Sequence, residues 1–304
     1  MLRYVIRRLL VSLALVFGVS VLLFALINAL GNPVQILLAE TPGIGPDAIA
    51  NLTHYYGLDG GVVSRYFTWL WALLRGDFGT SIIYNQPVGG ILWSWGLETL
   101  KIQIPAILLA LLFAVAAAVI AATRQHSRTD FAVVGGAMLG HSLPGFFVGI
   151  VLILIFSYWL GVLPSYGAYS TRNPLWGSVI ADGLWHMVLP IAMLAFFNTA
   201  TLTLLTRASG LPERRVVLGH ALRNAFIPVL TYLGVLFGLM LGTAPVTETV
   251  FTWPGLGALY ILAIQQLDYP IIMGTTMVIT VMLVTATLLT DIGYVLIDPR
   301  IRLT

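Results

Sequence analysis

The chain has 304 residues, 59% of them hydrophobic and only 9% charged, against roughly 25% charged in soluble domains. That balance describes an integral membrane protein, and apolar runs spread from end to end predict one membrane domain. With no cysteine, disulfide frameworks, thiolate metal sites and cysteine nucleophiles are excluded. The net charge of +3 and pI near 9.3 arise from basic residues at the ends of apolar runs, where they orient helices, and not from a nucleic-acid-binding face.

Arg3, Arg7 and Arg8 precede an apolar run over residues 9–30, long enough to cross a hydrocarbon core of roughly 30 Å. The run outlasts the apolar core of a secretory signal and ends in Ala29-Leu30-Gly31, so it reads as an uncleaved first span with its basic end in the cytoplasm. Residues 31–97 turn polar and aromatic and are expected to form an extracytoplasmic cap. Within it Asp47 is placed to cap a short helix that Gly57 ends. Val62, Tyr66, Trp69, Leu70 and Leu73 then share one face of an amphipathic helix lying on the membrane surface. Arg75, Gly76, Asp77, Phe78 and Gly79 form a turn, and the Trp and Tyr residues of the cap read as interfacial anchors.

Span two is expected over residues 98–122 and span three over 131–160, too long for one straight crossing. His141-Ser142-Leu143-Pro144-Gly145 interrupts it, since proline removes a helix hydrogen bond. Backbone freed at that depth faces protein or a water-lined cavity. His141 and Ser142 thus either border a translocation pathway or sit at a packed kink. An outer loop over 163–185 leads to span four at 186–205, and then to an arginine-rich hairpin over 206–228 whose charges cannot sit in hydrocarbon. Span five covers 227–244. Residues 245–270, polar at Glu248 and broken at Trp253-Pro254-Gly255, are expected to dip in and return before span six at 271–297. Six spans put both termini on one side, together with Arg124, Arg128, Arg207, Arg214, Arg215, Arg223, Arg300 and Arg302, and the positive-inside bias makes that side cytoplasmic. Polar groups on the spans, Gln103, Asn198, Thr199, Thr201 and Thr203, either line a passage or bond across helices.

Catalytic signatures are missing from the sequence. No His-Glu-x-x-His or Gly-x-Ser-x-Gly occurs, and Asp291 is the only acid well inside a span, which leaves no facing carboxylate pair. The sole lysine, Lys101, follows no glycine-rich loop, so a P-loop is excluded. No cofactor or metal set is expected on this chain. If it belongs to an active pump, the motor is on another polypeptide.

The motifs LRYVIRRLL, GDFGTS, LPGFF, GHALRNAFIP, ETVFTWPGLG, LDYP and LIDPRIR occur in an order and spacing that resemble the permease subunits of dipeptide, oligopeptide and nickel ABC importers. The resemblance covers nearly the whole chain. It implies an all-α type I importer fold of six transmembrane helices, with a cap at 31–97 after the first helix and a core at 98–304. It also implies a second, similar permease, an extracytoplasmic solute-binding protein, and two cytoplasmic ATPases that carry the ATP and Mg, in a bacterial or archaeal cytoplasmic membrane. The hairpin would serve as the coupling loop, carried by Arg207, Gly210, Leu211, Pro212, Glu213, Arg214, Arg215, His220 and Arg223. His141, Ser142, Asn198, Thr199 and Glu248 are the pathway candidates. At one point the chain departs from the family: Ser209 is followed at once by Gly210, where relatives continue a helical stretch, so the loop is shortened and normal coupling is in question. Peptide is the expected cargo, with nickel or another small solute behind it. A stand-alone carrier or an inactive scaffold subunit are the readings from other classes.

Overall fold

A computed structural model describes residues 2–31, 60–124, 126–170, 175–208 and 244–297. The described residues are helical, apart from turns and one isolated bridge between Thr80 and Pro87. In chain order the helices are α1 (Leu2–Ala29), α2 (Val62–Leu74), α3 (Val88–Thr123), α4 (Arg128–Ser142), α5 (Gly145–Leu152), α6 (Val179–Ala208), α7 (Leu256–Gln265) and α8 (Tyr269–Ile297). A further helical stretch covers 244–250. Four of these are long and apolar enough to cross a membrane, and a fifth span is counted if α4 and the α5 segment form one bent crossing. The expected span five, the hairpin beyond Ala208 and the short helix after Asp47 lie outside the described residues.

The break in span three is where the sequence puts it. A residue before proline is driven out of the α region, and Leu143 is extended at φ −77°, ψ 135°. Pro144 then opens α5, which continues through a π-helical turn to Trp159, and the two halves meet at 99°. α4 begins on a reciprocal cap, with the Asp130 amide donating to Ser127 Oγ (3.3 Å) and the His126 amide to Asp130 Oδ2 (3.0 Å). The turn at 75–79 also forms: Gly76 and Gly79 take φ +79°, and the Gly79 amide donates to Asp77 Oδ1 at 2.9 Å.

Two helices start earlier than the composition suggests. α3 begins at Val88 because Val88, Ile91 and Leu92 recur at i, i+3 and i+4 and are buried. α6 begins at Val179, with Ser178 Oγ accepting from the Ala181 amide and Asp182 in the first turn, where the helix dipole favours an acid. The expected face of α2 holds except at Val62, which is exposed.

The chain divides into two compact units. In the unit formed by residues 95–259 and 285–304, α4 and α5 pack on α6. The approach of α4 is close at Gly140, where an added Cβ would stand 3.1 Å from Phe196 and 3.2 Å from Ala200. Ile107, Ala110, Ala114 and Leu202 join α3 to α6, and Ile102, Ala106, Leu194 and Trp253 continue that core. In the unit formed by 2–94 and 260–284, Leu23, Phe24, Tyr66, Met273 and Met277 make a core between α1, α2 and α8. Tyr66 also shares a 2.9 Å hydrogen bond with Ser20.

Candidate functional site

The ETVFTWPGLG stretch folds into a cradle around its own acid. The 244–250 helix ends, a turn carries Trp253, Pro254 and Gly255, and α7 starts at Leu256. A new helix leaves its first amides without partners. Glu248, fully buried, supplies them: its Oε2 accepts from the Ala258 amide at 2.8 Å, and the Gly257 amide also donates to the carboxylate. The other oxygen accepts from Thr99 Oγ1 on α3 at 2.7 Å, and that hydroxyl in turn accepts from the Leu256 amide at 2.8 Å. A negative group at a helix start is favoured by both free N–H groups and the helix dipole. Here the anion is the chain's own. The fit leaves no room at Gly255, whose missing Cβ would fall inside the Glu248 carboxylate, nor at Gly257, where it would meet Pro245. Trp253, buried to 1% exposure, donates from Nε1 to the Glu98 carbonyl at 2.9 Å, so two adjacent α3 residues receive the turn.

A second acid, Asp268, is also fully buried. Its Oδ1 accepts from the Ile271 amide at 3.3 Å as a cap on α8, while Oδ2 accepts from Ser81 Oγ and from the Ile83 amide at 3.1 Å. The GDFGTS turn is thereby tied to the LDYP motif. Asp182 makes a third anchor, taking the Ser170 amide (2.6 Å), the Ser170 hydroxyl (2.8 Å) and the Leu175 amide (3.1 Å). His186, one turn on, has Nδ1 2.9 Å from the Asp182 carbonyl. Lys101 Nζ donates to Glu98 Oε1 at 2.6 Å and to the Tyr169 hydroxyl at 3.3 Å.

Of the five pathway candidates, His141 and Ser142 lie on α4, Asn198 and Thr199 on α6, and Glu248 in the 244–250 helix. His141 and Ser142 are exposed at the end of α4. His141 Nδ1 stands 3.0 Å from Thr201 Oγ1 on α6, its ring stacks on Phe197, and Ser142 Oγ donates to its own helix at the Met138 carbonyl. Asn198 is buried, and Thr199 Oγ1 donates across to the Ala110 carbonyl of α3 at 3.5 Å. Glu248 is enclosed in its cradle. Of the coupling-loop set, Arg207 lies in the last turn of α6, and Gly210, Leu211, Pro212, Glu213, Arg214, Arg215, His220 and Arg223 lie outside the described residues.

Sequence reasoning gave no site role to Thr99, Ser81, Asp268 or Asp182. Asp268, directly before a helix with Pro270 in its first turn, carried a readable capping signal. Thr99 carried none, since its partner is 149 residues away. Among the described residues no group of three His, Cys, Asp or Glu could hold a metal.

Residues 204–303 match the family described as binding-protein-dependent transport system inner membrane component, and residues 1–91 match that family's N-terminal model. The chain is 34% identical to the oligopeptide transport system permease protein AppB of Bacillus subtilis, over 98% of this chain and 99% of that protein. It is 33% identical to the dipeptide transport system permease protein DppB of Escherichia coli over 99% of each, and 33% identical to a di/tripeptide permease protein DppB of Pseudomonas aeruginosa, again over 99% of each. The alignment to the Escherichia coli protein runs over 337 residues against the 304 of this chain, so part of that relative has no counterpart here. An all-helical membrane body and an end-to-end likeness of this kind place the chain in the binding-protein-dependent transport system inner membrane component family.

Proposed function

We propose that this chain is one of two permease subunits of an ATP-binding cassette importer for di- or oligopeptides and forms half of its passage. ATP and Mg are bound on two separate cytoplasmic ATPases, and an extracytoplasmic solute-binding protein delivers the cargo. Both termini and the 206–228 hairpin face the cytoplasm, where the basic residues of that loop would meet the ATPases. The observation that carries this reading is the match, over nearly every residue, to relatives whose names specify oligopeptide, dipeptide and di/tripeptide transport. Those names favour peptide over nickel. Translocation requires a polar route, and the exposed His141–Thr201 pair beside the 99° bend is the described feature best suited to border one.

Reconstitution of the chain with its neighbouring permease, both ATPases and the binding protein tests the proposal. Labelled dipeptide should accumulate in the vesicles only with ATP, and peptide-loaded binding protein should stimulate hydrolysis. Uptake by this chain alone without ATP would make it a carrier, and assembly with neither uptake nor stimulation would make it a scaffold.

A further inference from the structure

α2 has two apolar sides, and among the described residues only one packs against other helices. Tyr66, Trp69, Leu70 and Leu73 turn into the core shared with α1 and α8, where Tyr66 meets Phe17 and Phe24 edge-on. Val63, Phe67, Trp71 and Leu74, spaced i, i+4, i+8 and i+11, form a separate stripe and are 70%, 58%, 58% and 71% exposed. Two polar groups near this stripe are occupied locally. Thr68 Oγ1 donates to the Ser64 carbonyl at 3.0 Å, and the Arg75 guanidinium lies 4.8 Å above the Trp71 ring. α2 contains no acidic residue.

What covers the stripe follows from what α2 leans on. Its partners on α1 run from Val16 to Ile27, toward the Ala29 end of the candidate span Val5–Ala29. Its partners on α8, Met273 and Met277, lie in the first turns of the candidate span Tyr269–Gly293. α2 therefore lies alongside one half of each candidate span, with Tyr66 beside Phe17 at the middle of Val5–Ala29 and Trp69 beside Phe24, so that its Arg75 end points to where hydrocarbon gives way to headgroups. Aromatic rings on an acid-free helix that ends in arginine suit that boundary, with the rings among acyl chains and the cation at phosphate level. A protein partner is a poorer match, because interfaces average about one hydrogen bond per 100–200 Å² and this stripe has almost no free polar group to supply one. We propose that the Val63, Phe67, Trp71 and Leu74 face of α2 is bound by membrane lipid in the assembled transporter, with acyl chains against the four side chains and Arg75 among the headgroup phosphates.

Because the chain contains no cysteine, V63C, F67C, W71C and L74C can each be spin-labelled with no background site. Power saturation of the complete transporter in phosphatidylethanolamine and phosphatidylglycerol nanodiscs should show oxygen accessibility about threefold or more above that of a nickel chelate at all four positions. Values for the chain alone and for the full assembly should agree. Chelate accessibility equal to or above that of oxygen would place the stripe in water and overturn the proposal. A fall of about threefold in both on assembly would overturn it by showing a protein cover. Should an aromatic replacement disturb α2, V63C and L74C at the two ends of the stripe report the same contrast. Because the readout is accessibility and not transport, a failure here leaves the proposed function standing, and the reverse also holds.

Discussion

Glu248 and Asp268 are both fully buried acids, and each binds a hydroxyl from a distant segment together with backbone amides at a helix start. They differ in how much of the work is local. Asp268 caps the helix that follows it directly, and its reach to Ser81 and Ile83 is an addition to that cap. Glu248 stands ten residues before the amide it holds, and the intervening turn closes on it only because Gly255 and Gly257 lack side chains and Thr99 is present on another helix. A local cap survives partial loss of its partners, whereas a cradle closed from several directions fails when any wall is changed.

The largest expected effect is at the cradle. Glu248→Ala strands the Gly257 and Ala258 amides in a buried space and leaves the Thr99 hydroxyl only the Trp95 carbonyl at 3.4 Å to donate to; it should cost about 4 kcal/mol, read as a drop in thermal midpoint of the purified chain. Gly255→Ala, with its Cβ inside the carboxylate, should cost about 3 kcal/mol alone. The two together should cost clearly less than their sum, because alanine at 248 vacates the space the new methyl needs. Additive losses would show that the two residues do not share that space. At the second acid, Asp268→Ala should cost about 2 kcal/mol, but Asp268→Asn about 1 kcal/mol, since the asparagine oxygen keeps the Ile271 cap while its NH2 turns a donor toward the Ile83 amide. Equal losses would mean the charge, and not the cap, dominates. The smallest effect belongs to Thr99→Ser, which keeps the bridging hydroxyl and should stay within about 1 kcal/mol, against about 2 kcal/mol for Thr99→Val.

The same difference explains what could be read in advance. The bend at Leu143 and Pro144, the 75–79 turn and the packed side of α2 follow from short-range rules: a residue before proline, glycine at positive φ, and 3.6-residue spacing. The starts of α3 and α6 were misplaced because Gly89, Gly90, Asp182 and Gly183 resemble loop composition, yet Gly89 meets Phe78 at 3.6 Å and Asp182 is consumed by Ser170 and Leu175. The candidate site was legible in outline only. Glu248 stood out as an acid among apolar residues, but its fate depends on Thr99, which nothing local marks. His141 stood out beside the break, while its contact with Thr201 spans 60 residues.

As a permease subunit, this polypeptide should conduct peptide only when driven from outside itself. Flux of a fluorescent dipeptide through single vesicles, followed while ATP is added and then removed from the complete complex, tests it most directly. Inward flux should start and stop with ATP and vanish when the ATPases are left out; flux that persists without nucleotide or without those subunits would show that the chain transports unaided.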